Sequence, residues 1–120
     1  MRRVLVIDDD EGVRLTLQHV LASNGYAVWT ASDGVEGVEL ARRCAADIVL
    51  TDLLMPKRDG IETIGILKQE NPKLKIVAMS GGRRMGQGEV LETAARSGAD
   101  RIIAKPFDMM ALLELLPALC

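Results

Sequence analysis

Five short, mostly apolar segments are the feature of this sequence that most constrains its fold. They are VLVI (4–7), AVWTA (27–31), DIVLT (47–51), KIVAM (75–79) and RIIA (101–104). Each segment has the length of a β-strand, and Gly, Asp, Asn or Pro residues lie close to its ends. Because the segments lack polar alternation, we predict strands that are covered on both faces, as in a parallel sheet.

The stretches between these segments carry apolar residues at helical spacing. This spacing predicts helices over 11–23, 34–45, 61–70, 90–97 and 109–116. We expect Asn24-Gly25, Asn71-Pro72 and Pro117 to end the first, third and fifth helices, and Ser32 or Asp33 to cap the second. The core-facing residues include Val35 and Val38 in the second helix, and Met109 and Met110 in the fifth. Strand and helix alternate five times, which predicts a doubly wound α/β fold with a five-stranded parallel sheet, in one domain over 1–120.

Composition and charge exclude several functional classes. A formal net charge of -2, from 15 basic and 17 acidic residues, gives no basic excess for binding nucleic acid. Cys44 and Cys120 follow no metal or disulfide spacing, which favours reduced thiols in a cytosol. The apolar run Val4 to Ile7 is too short for a signal-peptide core or a membrane span. We therefore expect a cytoplasmic protein that contacts neither nucleic acid nor membrane directly.

Polar residues suited to phosphoryl chemistry follow four of the predicted strands. In chain order they are Asp8-Asp9-Asp10, Thr51-Asp52, Ser80 and Lys105. Because parallel strands end at one edge, the carboxylates should converge there and require a cation, and an all-oxygen site suits magnesium. A hydroxyl and an ammonium group complement a phosphoryl group, and a carboxylate can itself accept one as an acyl phosphate. Considered alone, each of these residues is more simply explained as a turn residue, a helix cap or a solvated charge. Asp10 is best explained as a surface or capping residue.

Four segments together resemble the receiver domains of two-component response regulators. They are VLVIDDD, DIVLTDLLMPKRDG, IVAMSGG and GADRIIAKPF, in this order, and the resemblance runs from the first strand to the last helix. It implies a flavodoxin-like (βα)5 fold, with Mg²⁺ as the cofactor and Mn²⁺ as a substitute. By position, the resemblance implies that Asp52 is the phosphoacceptor. It implies that the metal ligands are Asp8, Asp9, Asp52 and the Leu54 carbonyl. It also implies two contacts to the phosphoryl group, from the Ser80 hydroxyl, which acts as a switch, and from Lys105.

The resemblance also implies partners. The phosphoryl donor would be a phosphohistidine on a sensor histidine kinase or a histidine phosphotransferase. A downstream protein target would read the conformational change, docking on the face formed by the fourth helix, fifth strand and fifth helix. The chain would not be an enzyme beyond self-catalysed phosphoryl acceptance and slow autodephosphorylation.

Three features of the sequence depart from the family pattern. The residue three before Lys105 is usually an aromatic, but here it is Ile102. The Gly-rich stretch 81–88 adds length after Ser80, which predicts a long loop whose role, partner binding or simple insertion, stays open. Leu54 and Gly82, each two residues after a site residue, have no side chain that could orient an attacking water. We therefore expect slow hydrolysis of the acyl phosphate.

Three other functions compete with the phosphoacceptor switch. A small magnesium phosphohydrolase with an aspartyl nucleophile normally has a second Asp two residues on, where this chain has Leu54. Nucleotide binding at GGRRMGQG would require the Gly-Lys-Ser/Thr ending of a phosphate-binding loop, which is missing. A pseudo-receiver that only binds partners is disfavoured because every required acidic, hydroxyl and lysine position is filled.

Overall fold

A computed structural model of the chain describes residues 2–53, 60–80, 98–104 and 108–119. In this part of the chain, five strands form one parallel sheet in the order β2-β1-β3-β4-β5. The strands are β1 (Arg3–Ile7), β2 (Ala27–Ala31), β3 (Ile48–Asp52), β4 (Lys75–Ser80) and β5 (Arg101–Ala104). The helices are α1 (Glu11–Ser23), α2 (Gly34–Cys44), α3 (Gly60–Glu70) and α4 (Met109–Leu119). The predicted doubly wound, flavodoxin-like architecture is confirmed.

Most element boundaries lie within one residue of the prediction. The segments α1, β2 and β5 match it residue for residue, while β3 and β4 run one residue further, to Asp52 and Ser80. Helix α2 ends at Cys44 because Ala45 adopts a left-handed conformation with φ of 51°. The predicted helix over 90–97 and the Gly-rich stretch 81–88 lie outside the described residues.

The predicted stop at Pro117 is wrong, because α4 continues through it to Leu119. Near a helix end, a proline removes a single backbone hydrogen bond. The residue before it, Leu116, is fully buried among the strands and α1. Burial of this side chain keeps the last turn packed against the sheet.

Successive strand residues face opposite sides of the sheet and form two core layers. The layer under α2 and α3 includes Leu5, Ile7, Val49, Ile76, Val38, Ile64 and Leu67. The layer under α1 and α4 includes Val4, Val6, Ile48, Leu50, Leu17, Leu21, Leu112 and Leu116. Strands β1 and β3 are therefore apolar on both faces, as the absence of polar alternation predicted.

Two residues expected in the core are exposed. Met110 is 64% exposed and Val35 is 48% exposed. In α2, the buried face is formed by Gly34, Gly37 and Val38. A Cβ on Gly37 would lie 2.4 Å from Cδ1 of Ile7, so α2 packs on β1 more closely than a larger residue would permit. The rotation of α2 that brings Gly37 inward leaves Val35 on the outside.

Acidic residues cap the first two helices. The Asp10 carboxylate accepts hydrogen bonds from the amides of Gly12 (2.8 Å) and Val13 (3.3 Å) at the start of α1. Asp33 caps α2 by accepting from the Glu36 amide at 2.9 Å. The capping role predicted for Asp10 is thereby confirmed. Among the described residues, no helix is both long enough and apolar enough to cross a bilayer.

Asp100 connects three elements at the amino end of the sheet. Its Oδ2 accepts from the Ile76 amide at 2.8 Å and lies 3.0 Å from Nζ of Lys68 in α3. The Lys68 ammonium also donates to the Leu74 carbonyl at 2.6 Å. Burial alone would raise the pKa of Asp100, but the Ile76 hydrogen bond and the Lys68 ammonium together hold that pKa below its usual value.

We predict that Asp100→Asn weakens the dependence of stability on pH in acid. The unfolded-state pKa of an aspartate is about 3.9, and the folded-state pKa of Asp100 is lower. The carboxylate therefore stabilises the fold at neutral pH, and this contribution is lost as pH falls through the folded-state pKa. Urea titrations should show a difference in unfolding free energy between wild type and variant that shrinks below about pH 4.

The control for this prediction is Lys68→Met. In that background the ion pair is already broken, so Asp100→Asn should have a smaller effect at neutral pH. A difference between wild type and Asp100→Asn that stays constant from neutral to strongly acidic pH would contradict the prediction.

Candidate functional site at the carboxyl edge of the sheet

The register of β1 and β3 determines where the acidic residues meet. Ile7 pairs with Thr51, so Asp8 and Asp52 are the next residues at two adjacent strand ends. After β1 the chain enters α1 on one face, and α3, which follows β3, packs on the other. This reversal is the switch point of the strand order, where doubly wound folds bind their ligands.

Three carboxylates come together at this switch point. One oxygen each from Asp8, Asp9 and Asp52 lie within 4.8 Å of one another. Asp8 is fully buried and Asp52 is 7% exposed, whereas Asp9 is exposed. Two unit charges at such a separation repel by about 3 kcal/mol at an effective dielectric constant of about 20. Hard carboxylate oxygens in this arrangement fit Mg²⁺, which would offset that repulsion.

The backbone and side chain of Asp8 are held from three directions. Its amide donates to the Ala31 carbonyl of β2 at 3.1 Å. Its Oδ1 accepts from the Asp10 amide at 2.9 Å, and its carbonyl accepts from Nη1 of Arg14 at 2.6 Å. The Asp8 carboxylate therefore has a fixed position relative to β1 before any metal binds.

Asp52 is the last residue of β3 and pairs with Met79 of β4. The amide of Leu53 then donates to the Met79 carbonyl at 3.0 Å, which continues the strand geometry one residue beyond Asp52. The Gly60 amide donates to the Leu53 carbonyl at 2.9 Å, so the start of α3 also contacts this strand end. The acceptor candidate is thus fixed by the central strand of the sheet and by α3.

The remaining predicted site residues fall partly or wholly outside the described residues. Ser80 closes β4, where its backbone pairs with Ala104, the residue before Lys105. The Ser80 side chain, Leu54 and Lys105 lie beyond what the structure describes. Their roles in phosphoryl and metal binding stay predictions.

Two residues that sequence reasoning missed contribute to the site. Arg14 hydrogen-bonds the Asp8 carbonyl, and Gly60 lies against the Asp52 backbone. Arg14 did carry a signal, because a cation in the first turn of a helix opposes the helix dipole and needs a compensating contact. Gly60 begins α3 directly after the DLLMPKRD segment, but sequence alone gives no contact distance.

The fold and the site together define a class of α/β proteins. In this class, carboxylates cluster at the switch point between β1 and β3 of a parallel sheet with the strand order 2-1-3-4-5. The chain belongs to the response regulator receiver domain family, whose model matches residues 4–117. It is therefore a receiver domain of two-component signalling.

Individual relatives agree with this assignment. The response regulator MprA of Mycobacterium leprae is 36% identical over 119 residues, which cover 98% of this chain and 50% of MprA. The chemotaxis protein CheY of Halobacterium salinarum is 33% identical over 113 residues, covering 94% and 92% of the two chains. The chain thus spans about half the length of the MprA relatives and nearly all of that CheY.

Solved structures show the same architecture. A CheY-like receiver domain protein from Methanospirillum hungatei superposes with a TM-score of 0.92 at 25% identity, covering 98% of this chain and 92% of the other. The response regulator TrrA from Thermotoga maritima, solved in complex with Mg²⁺ and BeF, gives a TM-score of 0.86 at 27% identity over the full length of both chains.

We predict that Gly60→Ala destabilises the fold and disturbs the Asp52 strand end. A Cβ at this position would lie 2.1 Å from the Asp52 carbonyl oxygen and 2.5 Å from the Leu53 Cα. Both atoms belong to the backbone, so no rotamer change relieves the clash, and we expect a loss of about 1–3 kcal/mol in urea titrations.

Gly65→Ala, in the same helix, is the matched control. A Cβ there meets no atom within 4 Å, so alanine should leave stability unchanged or raise it by up to about 1 kcal/mol. Equal unfolding midpoints for Gly60→Ala and Gly65→Ala would show that the close approach at Gly60 is unimportant.

Proposed function

We propose that Asp52 accepts a phosphoryl group from a phosphohistidine, with Mg²⁺ bound among Asp8, Asp9 and Asp52. The observation that carries this proposal is the convergence of the three carboxylates within 4.8 Å at the switch point. The donor would be a sensor histidine kinase or a histidine phosphotransferase in the cytoplasm, and Mn²⁺ would substitute for Mg²⁺.

The position of Asp52 in the sheet favours it over Asp8 and Asp9 as the acceptor. Strand β3 is the central strand, with β1 on one side and β4 on the other. A phosphoryl group on Asp52 would therefore have the acidic residues on its β1 side. On its β4 side it would have the paired strand ends at Ser80 and Ala104. The predicted phosphoryl contacts are Ser80 itself and Lys105, the residue that follows Ala104.

In the reaction we propose, a carboxylate oxygen of Asp52 attacks the phosphorus of the donor. A new P–O bond forms while the P–N bond of the phosphohistidine breaks, and the imidazole leaves. Mg²⁺, when bound, would supply positive charge to the phosphoryl oxygens. Asp8 and Asp9 would hold the metal, and Lys105 would add a second positive charge. The chain acts as its own phosphoryl acceptor and turns over no separate substrate.

Three features support the choice of metal. The clustered donors are all carboxylate oxygens, two from buried residues and one from an exposed residue. Mg²⁺ prefers such ligands and commonly keeps several waters, which suits a site with one exposed side. TrrA, which shares the fold over its full length, was solved with Mg²⁺ and BeF bound.

The output of the switch would be a shift between two conformations. A phosphoryl group adds about -1.5 to -2 charge beside Asp52, and its attraction for Ser80 and Lys105 would favour the arrangement that brings them closer. A downstream protein target would bind the favoured conformation at the face that includes β5 and α4.

Intact-mass spectrometry after incubation with acetyl phosphate tests the proposal. We expect wild type to gain one phosphoryl adduct in the presence of Mg²⁺ and none after chelation with EDTA. Asp52→Asn should gain none, because an amide cannot form the acyl phosphate. The matched control is Asp47→Asn, which removes an exposed carboxylate at the opposite edge of the sheet and should leave the adduct intact.

Other outcomes would favour the competing functions. If the wild type gains no phosphoryl adduct, a pseudo-receiver that acts only by binding partners is favoured. Catalytic turnover of a phosphate ester would indicate the phosphohydrolase, and an adduct that persists in Asp52→Asn would assign the acceptor to another residue.

We also predict a long-lived acyl phosphate. Leu54 and Gly82 have no polar side chain that could orient an attacking water. After acetyl phosphate is removed by desalting, the adduct should persist well beyond seconds, and Leu54→Asn, which introduces an amide, should shorten its lifetime severalfold. A wild-type lifetime of seconds would contradict this prediction.

A further inference from the structure

Arg14 is a partly buried cation that the proposed chemistry does not use. It lies in the first turn of α1, and its Nη1 donates to the Asp8 carbonyl at 2.6 Å. The exposed amino end of a helix favours anions, so a guanidinium there is unfavourable unless another contact compensates. Its charge-assisted hydrogen bond with Asp8 provides that contact.

The hydrogen bond fixes one particular peptide group. The carbonyl of Asp8 belongs to the peptide that joins Asp8 to Asp9, and the paired residues of β1 end at Ile7. Arg14 therefore restrains the peptide plane just beyond the sheet. The Asp8 side chain is also restrained by the Asp10 amide. Asp9 is exposed, so the direction of its carboxylate depends more strongly on the orientation of the Asp8–Asp9 peptide plane.

Arg14 has two effects on a bound cation, and they oppose each other. Its positive charge repels a metal ion held by the nearby carboxylates. Its hydrogen bond restrains Asp8 and Asp9, which lowers the entropy cost of bringing both carboxylates onto the metal. The sign of the change in metal affinity on removing Arg14 shows which effect is larger.

We propose that Arg14 is a positioning residue for the metal site: it sets the Asp8–Asp9 peptide so that both carboxylates can bind one Mg²⁺. This inference rests on the proposed function, because it concerns the same metal. It assigns to the α1 guanidinium a contribution to Mg²⁺ affinity that exceeds its charge repulsion.

Calorimetric titration of Mg²⁺ into the unphosphorylated protein tests this role. Arg14→Met removes both the charge and the hydrogen bond, and we expect about tenfold weaker binding, as for other residues that orient metal ligands. Arg14→Lys keeps the charge and a donor but loses the planar fork, so its affinity should fall about threefold, between wild type and Arg14→Met.

Arg43→Met is the matched control. It also removes one positive charge, but Arg43 is exposed near the end of α2 and pairs with Glu39. Its Mg²⁺ affinity should equal that of wild type. Urea titrations without metal, together with hydrogen exchange of the Asp10 amide, which donates to Oδ1 of Asp8, separate a local effect from general destabilisation. We expect faster exchange at Asp10 in Arg14→Met, with the exchange rates of the β1 core unchanged.

The outcomes distinguish this inference from the proposed function. If wild type binds Mg²⁺ and is phosphorylated, but Arg14→Met binds the ion as tightly or more tightly, Arg14 does not position the site and only the inference fails. If Arg14→Met does not fold, Arg14→Lys decides, and affinity equal to or above wild type overturns the inference. If wild type itself binds no Mg²⁺, the metal site and the inference fail together.

Discussion

The pairing of β1 with β3 is the constraint on which the rest of the site depends. With Ile7 opposite Thr51, the first residues beyond the ladder are both aspartates, and both are buried. Burial lowers the local dielectric constant, so the repulsion between their carboxylates is larger than it would be at the surface. The sheet forms despite this cost because β1 and β3 bury apolar side chains on both faces. The fold thereby creates a site that a divalent cation would stabilise.

Close backbone packing keeps those two strand ends in place. Helix α2 approaches Ile7 through Gly37, and α3 begins against the Asp52 carbonyl through Gly60. On the other face, Leu17 and Leu21 of α1 pack in the same layer as Val4 and Val6. The acidic residues are therefore attached to rigid elements, which is the arrangement that a preorganised binding site requires.

The sequence predicted the sheet and the acidic cluster well, because both depend on local patterns. Apolar runs located the strands, and the rule that parallel strands end at one edge brought Asp8, Asp9 and Asp52 together. The errors at Pro117, Val35 and Met110 came from tertiary packing, which decides how far a helix extends and which face it buries. Arg14 and Gly60 were missed for a related reason, since both contact backbone atoms at a strand end, and such contacts leave no periodic pattern of apolar residues.

The departure at position 102 bears on how a signal could leave the site. Family resemblance places an aromatic there, but Ile102 lies half-buried against the core layer of α2 and α3 and pairs with Ala78 of β4. A β-branched side chain such as that of Ile102 has few rotamers. Moving it into solvent would expose apolar surface, and it lacks the large ring with a polar edge that lets an aromatic side chain occupy both buried and exposed positions. If Asp52 is phosphorylated as proposed, we therefore expect Ile102 to keep its half-buried position. A conformational change of the kind proposed would then not involve exchange of a ring between buried and exposed positions at residue 102, and the paired strand ends at Ser80 and Ala104 offer one route from the site.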